Sequence, residues 1–130
     1  MSYSDDLLII NNLSIQAGKD AAALILDMPN RPDGIFAAND ACAISCLVEL
    51  KSAGIKIPHD IAIAGFNNDP SCCIVEPNLT TIDYKGYDMG EAAAKLLINH
   101  LTSGVDIQLT HSLVLRHELV VRDSSLKKGV

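Results

Sequence analysis

The chain has 130 residues, a net charge of −6 at neutral pH, 48 % hydrophobic residues and 20 % charged residues. These values are typical of a globular protein with one core, and they exclude a disordered chain. The ten lysines and arginines are scattered, whereas a nucleic-acid-binding surface needs clustered positive charge, so we expect no DNA binding by these residues alone. No apolar run reaches the roughly 18 residues of a membrane span, and the acidic start lacks the positive region of a signal peptide.

The first half of the chain alternates short apolar runs with segments of helical periodicity. Residues 7–10 form an apolar run that predicts a buried strand, and Ser14 is a suitable N-cap for a helix over about 15–27. Residues 34–38 predict a second buried strand, after which Asp40 is expected to cap a helix that begins at Ala41. Residues 61–66 predict a third strand. This β-α-β-α-β order predicts an α/β fold with a parallel sheet.

The second half is less regular. Residues 79–84 are rich in β-forming types, and two further strand candidates lie at 111–115 and 118–122. Between them, residues of about 87–101 predict a helix with an apolar stripe. The stripe consists of Tyr87, Gly90, Ala93, Ala94, Leu97 and Leu101.

An asparagine follows each of the three predicted strands of the first half: Asn12, Asn39 and Asn67. The carboxyl ends of parallel strands share one edge of a sheet, which is where open α/β folds hold ligands. Asparagine is also a common turn residue, so each one is equally well explained as a turn-former. The sequence therefore predicts a candidate polar site and leaves both explanations open.

The sequence contains none of the familiar catalytic or phosphate-binding motifs. The four cysteines, Cys42, Cys46, Cys72 and Cys73, form no C-x-x-C and have no histidine at zinc-finger spacing. We expect them to be buried reduced thiols, with a metal site as the minor alternative. We predict a protein that is not an enzyme and that needs neither a cofactor nor a metal.

Five segments, in order, carry a family resemblance that spans nearly the whole chain. They are RPDGIFAAND at residues 31–40, AGIKIPHDIAIAGFNN at 53–68, PNLTTI at 77–82, MG at 89–90 and ELVVRDS at 118–124. Together they resemble the effector-binding region of LacI/GalR-type transcriptional regulators.

The resemblance implies a three-layer α/β/α lobe of the periplasmic-binding-protein-like type I fold, truncated here to a single incomplete effector-binding domain. Residues 1–82 and about 116–124 would form the second of two lobes. Residues of about 83–115 would be a crossover helix and strand that belong to the first lobe, which is absent. The family further implies a small-molecule effector, such as a sugar or a related metabolite, held between the lobes. It also implies homodimers and a helix-turn-helix DNA-binding head that this sequence does not contain.

The resemblance also implies site residues. Asn39 matches an effector-contacting position, and Asn67 stands where many members have an aspartate in Gly-Phe-Asp. An amide lacks the charge-assisted acceptance that a carboxylate gives to sugar hydroxyls. Leu13 occupies a position where several members place a stacking aromatic ring, and Tyr84 matches another pocket position. The expected partner-facing residues of the dimer are Ile44, Leu47, Cys73 and Val75.

Two functions fit this fold: a cytoplasmic transcriptional regulator, often a repressor, and an exported periplasmic sugar-binding protein of a transporter. The LTTI crossover and the ELVVRDS ending resemble the regulators more closely, and four free cysteines fit a reducing compartment. We therefore favour the regulator. The apolar stripe of the helix at about 87–101 has two possible covers. It packs against the same helix of a second copy, which we favour, or it folds back onto the sheet.

Overall fold

A computed structural model of the chain describes residues 7–103 and 112–127. Its helices and strands follow the predicted order except that two predicted strands are missing from the described residues. They are α1 (Ile15–Asp27), β1 (Gly34–Phe36), α2 (Asp40–Ser52), β2 (Ala62–Ala64), β3 (Thr81–Asp83), α3 (Gly86–Ser103) and β4 (Glu118–Val120), with a 3-10 helix at Pro70–Cys73.

The two first helices begin at side-chain caps. The Ser14 hydroxyl accepts the Ala17 N–H at 3.1 Å, as predicted for α1. The prediction that Asp40 caps α2 is wrong, because the cap is Asn39, whose Oδ1 accepts the Cys42 N–H at 3.1 Å. Asparagine and aspartate are equally good N-caps, so the sequence Asn39-Asp40 does not show which residue caps the helix. The backbone decides this, because it is extended at Asn39 and helical from Asp40. Asp40 becomes the first helical residue, and its carboxyl is fully buried.

The strands form one continuous arrangement in the order β1, β2, β3, β4. β1 and β2 pair in parallel, with Ile35 opposite Ile63, and a parallel bridge joins Ala64 to Thr80 just before β3. β3 and β4 pair antiparallel, with Ile82 opposite Leu119. The predicted class, an α/β fold built on a parallel sheet, is confirmed.

Two strand predictions are wrong. Residues 7–10 form no strand, and Leu8 and Ile10 are 54 % and 86 % exposed. An apolar run becomes a strand only where a neighbouring strand takes up its backbone hydrogen bonds, and no described strand pairs with this run. Residues 112–115 likewise form no strand, and Val114 is 86 % exposed. His111, the first residue of that prediction, lies outside the described part of the chain.

A close contact between α1 and α2 builds much of the core. Gly18 faces α2 so closely that a Cβ there would lie 2.0 Å from Ser45 Oγ and 2.3 Å from the Cys42 carbonyl oxygen. Only a residue without a side chain allows the helices this approach. The buried core lies under this helix pair and comprises Ala22, Ile25, Ala43, Cys46, Leu47, Leu50, Ile61, Ile63, Cys72 and Leu79.

The outer edge of β1 borders an apolar groove of about 350 Å³, whose other wall is the segment of residues 7–13. Asp33 and Ala37 exchange backbone hydrogen bonds with the β2 side, at Ala62 and Ala64. Backbone groups of successive residues in a strand face alternate sides, so Gly34 and Phe36 direct theirs into the groove. Within the described residues, this edge of β1 has no paired strand.

The third helix, α3, stands apart from the core. Its apolar side chains are mostly exposed, including Tyr87 at 85 %, Leu97 at 60 % and Leu101 at 73 %. The alternative in which α3 folds back onto the sheet is therefore wrong. Although α3 is 18 residues long, no helix in the described ranges is apolar enough to cross a membrane.

All four cysteines are free thiols. Cys42, Cys46 and Cys72 are buried, which confirms that part of the prediction. Cys73 is exposed because it occupies the outer side of the 3-10 helix, so the expectation of burial is wrong for this residue.

Candidate effector-binding site

The loops that follow β1, β2 and β3 are joined directly through their backbones. The Asp40 N–H donates to the Phe66 carbonyl at 3.0 Å, and the Asn67 N–H donates to the Ile82 carbonyl at 3.0 Å. Asn39 precedes the first of these bonds, and Tyr84 lies two residues beyond the last. Three of the predicted contact positions, Asn39, Asn67 and Tyr84, therefore belong to one connected edge of the sheet.

Asn39 has two separate uses for its amide. Its carbonyl oxygen accepts the Cys42 N–H and so caps α2, while the side chain as a whole is only half-buried. Since the cap uses the oxygen, the NH₂ group is the part that can donate to a ligand. The turn-forming explanation and the ligand-binding explanation are thus compatible at this residue.

Asn67 and Asn68 form a strained turn after β2, with φ values of 125° and 59°. Asparagine adopts positive φ more readily than most residues with a side chain, which explains the pair locally. The turn is held from outside by Arg122, whose guanidinium donates to Asn68 Oδ1 at 2.7 Å and to the Leu79 carbonyl at 2.8 Å. The Asn67 side chain is half-buried at the same edge.

An aromatic pair stands beside these amides. Tyr84 is 37 % exposed and stacks on Phe66, with ring centroids 5.9 Å apart and an angle of 13° between the planes. Stacked rings offer an apolar wall of the kind that small-molecule sites use. Sequence reasoning missed Phe66. The signal was an aromatic residue at the end of a buried strand, immediately before a candidate contact.

The structure separates the remaining two candidates, Asn12 and Leu13. Leu13 lines the groove together with Ala38, the neighbour of Asn39, so it lies near the connected edge. Asn12 lines a different depression beside α1, and its Oδ1 accepts the Ser14 N–H at 3.2 Å. Asn12 is thus engaged in a turn that leads into the α1 cap, and it is not brought together with Asn67 or Tyr84 by any described bond.

Beneath the site lies a buried cluster centred on Asp40, which sequence reasoning treated only as a cap. Its carboxylate accepts the Thr81 hydroxyl at 2.6 Å and the Asp69 N–H at 2.9 Å. The Cys72 thiol lies against the same group. Burial raises the pKa of Cys72 to about 12, with a further contribution from its hydrogen bond to Asp40. Among the described residues, no cluster of three or more potential metal ligands occurs here or elsewhere.

A charged cluster joins β3 to β4 at the start of α3. Lys85 Nζ lies 2.9 Å from Asp83 Oδ2 and 3.2 Å from Glu118 Oε2. Hydrogen bonds from the Lys85 backbone and side chain lower the pKa of Asp83, and hydrogen bonds to Asp83 and Glu118 raise the pKa of Lys85. Asp83 and Lys85 are half-buried and Glu118 is exposed, so water screens these ion pairs. The cluster therefore fixes the geometry of the link between β3 and α3 more than it adds to stability.

The expected dimer residues are only partly available to a partner. Leu47 is fully buried in the core of this chain, so its assignment to an interface is wrong. Leu47 lies on the face of α2 that packs against α1 and β2. Ile44 and Val75 are half-buried, and Cys73 is exposed. The large apolar side chains that do face solvent in this region are Val48 and Ile74, at 47 % and 82 %.

Comparison with known proteins agrees with this architecture. Residues 7–125 match the family model described as a periplasmic binding protein-like domain. The chain is 32 % identical over 119 residues to the transcriptional repressor CytR of Escherichia coli, covering 88 % of this chain and 33 % of that protein. The chain spans about a third of the length of the curated relatives that it matches.

Solved structures give the same result. A complex of the transcriptional regulator CelR with cellobiose is 29 % identical, has a TM-score of 0.87, and is matched over 95 % of this chain and 37 % of that one. The regulator CcpA of Lactococcus lactis is 28 % identical, has a TM-score of 0.85, and is matched over 96 % and 45 %.

The chain therefore belongs to the periplasmic binding protein-like domain family. The relatives named above are all transcriptional regulators. A LacI-type transcription regulator from Bifidobacterium animalis is 33 % identical, has a TM-score of 0.80, and is matched over 88 % of this chain and 40 % of that one. Within the family, this chain is the LacI-type effector-binding domain, present in part, as the sequence resemblance implied.

Proposed function

We propose that this chain is the effector-sensing and dimerisation region of a cytoplasmic LacI-type transcriptional regulator. It contributes one wall of a cleft that binds a small molecule, a sugar or a related metabolite. DNA is bound only through a helix-turn-helix head that lies outside these residues. The single observation that carries the proposal is the hydrogen-bonded edge that joins Asn39, Asn67 and Tyr84.

The chemistry of this edge suits a small polyhydroxylated ligand. Two amide side chains donate and accept hydrogen bonds, and the ring of Tyr84 supplies an adjacent apolar face. Asn67 carries no charge, so its bond to a hydroxyl is weaker than that of an aspartate. The solved complex of CelR with cellobiose supports a sugar as the first class of ligand to test.

The packing supports a two-lobe arrangement. Residues 1–82 and about 116–124 form the second lobe in this proposal, and Ser124 connects the two parts: its hydroxyl donates to the Ile63 carbonyl at 2.6 Å and accepts the Thr80 N–H at 2.8 Å. Residues of about 83–115 belong with the first lobe, in keeping with the exposed apolar surface of α3, which includes Leu101.

An exported sugar-binding protein of a transporter shares this fold and is the alternative. The named relatives are regulators, which favours the first proposal. The sequence upstream in the gene discriminates between them: a helix-turn-helix supports the regulator, and a signal peptide supports the exported protein.

The effector site is tested with variants that respect local structure. Asn39→Ser keeps an oxygen to cap α2 while removing the NH₂ donor, and Asn67→Gly removes the amide where the backbone has φ of 125°. In the full-length protein, isothermal titration with the best ligand from a thermal-shift screen that includes cellobiose should show each variant binding more weakly by about 1–3 kcal/mol. Asn30→Ala, at an exposed loop position, is the matched control. Unchanged affinity in both variants would mean that these amides only form turns.

For dimerisation we propose a surface that contains Ile44, Cys73 and Val75, together with the exposed Val48 and Ile74. An exposed apolar patch of this kind typically marks an interface. Sedimentation of Ile74→Glu should show a monomer where the unaltered protein is a dimer. A variant that stays dimeric places the interface elsewhere.

A further inference from the structure

Three separate segments meet at the carboxyl of Asp40, which is 0 % exposed. Asp40 itself is the first residue of α2. Its Oδ1 accepts a hydrogen bond from the hydroxyl of Thr81 on β3 at 2.6 Å, and its Oδ2 accepts one from the N–H of Asp69, in the turn after β2, at 2.9 Å. Its backbone N–H holds the end of β2 through the Phe66 carbonyl at 3.0 Å. Through its side chain and its backbone, Asp40 thus joins the elements that carry Asn39, Asn67 and Tyr84.

The surroundings leave this carboxyl a single position. A Cβ on Gly65 would lie 2.2 Å from Asp40 Oδ1, so the carboxyl packs directly on the backbone at the end of β2. On the other side, Thr81 Oγ1 also accepts the Asn68 N–H at 3.3 Å. The Thr81 hydroxyl therefore links the Asn67–Asn68 turn to α2, because it accepts the Asn68 N–H and donates to the Asp40 carboxyl.

The chemistry requires an acid at position 40. Its two oxygens face two donors from different elements, the Thr81 O–H and the Asp69 N–H. An asparagine has one acceptor oxygen and one NH₂ group, so one of the two donors would face another donor. Leaving a buried donor or acceptor unsatisfied is the more costly part of losing a hydrogen bond.

We propose that Asp40 is a positioning residue for the effector site. Its carboxylate fixes the start of α2, the turn after β2 and β3 in one arrangement, and so sets the placement of Asn39, Asn67 and Tyr84. This inference rests on the proposed function for its biological meaning. Its structural content is independent of any ligand.

The test compares Asp40→Asn with Asp33→Asn, which makes the same change at an exposed position. Amide hydrogen exchange is measured by NMR on the 130-residue chain without any effector. In Asp40→Asn, exchange at Asn68 and Asp69 should accelerate roughly tenfold or more relative to the core amide of Leu50. The side-chain NH₂ signals of Asn39 and Asn67 should shift as well. Asp33→Asn should change none of these.

A second pair of variants keeps the test decisive if Asp40→Asn fails to fold. Thr81→Val removes the hydroxyl with little change of shape and should accelerate exchange at Asn68, and Thr81→Ser should restore the unaltered pattern. The proposal is overturned if exchange at Asn68 and Asp69 is unchanged, or if Leu50 accelerates by the same factor, since Asp40 would then contribute only to overall stability. If the local effects appear but no sugar binds the full-length protein, the effector proposal fails while the role of Asp40 stands.

Discussion

Leu47→Ala is the change that separates a core residue from an interface residue on α2. Leu47 is completely buried among the side chains of the core, next to Leu50 and Ile63 in the same cluster. Removing three carbon atoms at about 0.8 kcal/mol each costs about 2.4 kcal/mol in transfer free energy. Strands and α1 surround the site, so the cavity closes only in part, and the total should reach about 3–4 kcal/mol.

The measurement is urea unfolding followed by circular dichroism at two protein concentrations, with Leu24→Ala as the matched control. Leu24 lies on α1, outside the proposed dimer surface, and is 53 % exposed, so its truncation should lower the free energy of unfolding by about 1 kcal/mol or less. The reasoning is refuted if Leu47→Ala stays within about 1 kcal/mol of the unaltered chain, or if its effect disappears at the lower concentration. Either result would mean that Leu47 belongs to an interface and not to the core.

Four further predictions concern the thiols, α3 and the helix pair. Iodoacetamide at neutral pH should alkylate the exposed Cys73 well before Cys72, and equal rates by mass spectrometry would contradict the burial described. Burial raises the pKa of Cys72 to about 12 in the folded state. The folded state therefore keeps its full stability below the ordinary thiol pKa and loses the contribution of Cys72 as the pH rises toward 12. The melting temperature, measured over a series of pH values, should fall across this range. Leu97→Glu and Leu101→Glu should each reduce self-association, measured by light scattering, because both side chains are exposed on α3. Strong protection of α3 from hydrogen exchange that does not depend on protein concentration would exclude association through this helix. Gly18→Ala should lower the free energy of unfolding by about 1–3 kcal/mol, because the added methyl group would lie 2.3 Å from the Cys42 carbonyl oxygen. A melting temperature equal to that of the unaltered chain would show that α1 and α2 can move apart without cost.

The parts of the fold that follow local rules were predictable from the sequence. Ser14 caps α1 as expected, and the periodic residues Ala17, Ala21 and Ile25 pack inward, whereas Leu24 is exposed. The apolar runs that became β1 and β2 were recognisable because each is short and follows a turn, and the two strands pair with each other. The resemblance supplied the family, which composition and periodicity alone do not indicate.

The failures all depend on contacts that local sequence does not encode. Residues 7–10 have the composition of a buried strand but no described neighbour to pair with, so Ile10 remains exposed. Leu47 and Val48 are adjacent apolar residues on one helix, and only the position of α1 decides which of them is buried. The role of Asp40 depends on Thr81, 41 residues away in sequence, and no spacing rule connects such a pair.

Among the described residues no strand pairs with the outer edge of β1, which has a consequence for handling the protein in concentrated solution. Residues 34–38, Gly-Ile-Phe-Ala-Ala, contain no charge and no proline, and backbone groups of Gly34 and Phe36 face the groove. An uncharged run of this kind at an open sheet edge is a template on which the same run of another molecule can add, and the process can continue into a fibrillar aggregate. Because each addition is bimolecular, the loss of material rises steeply with concentration, and a single lysine placed at Phe36 is the mildest way to block it.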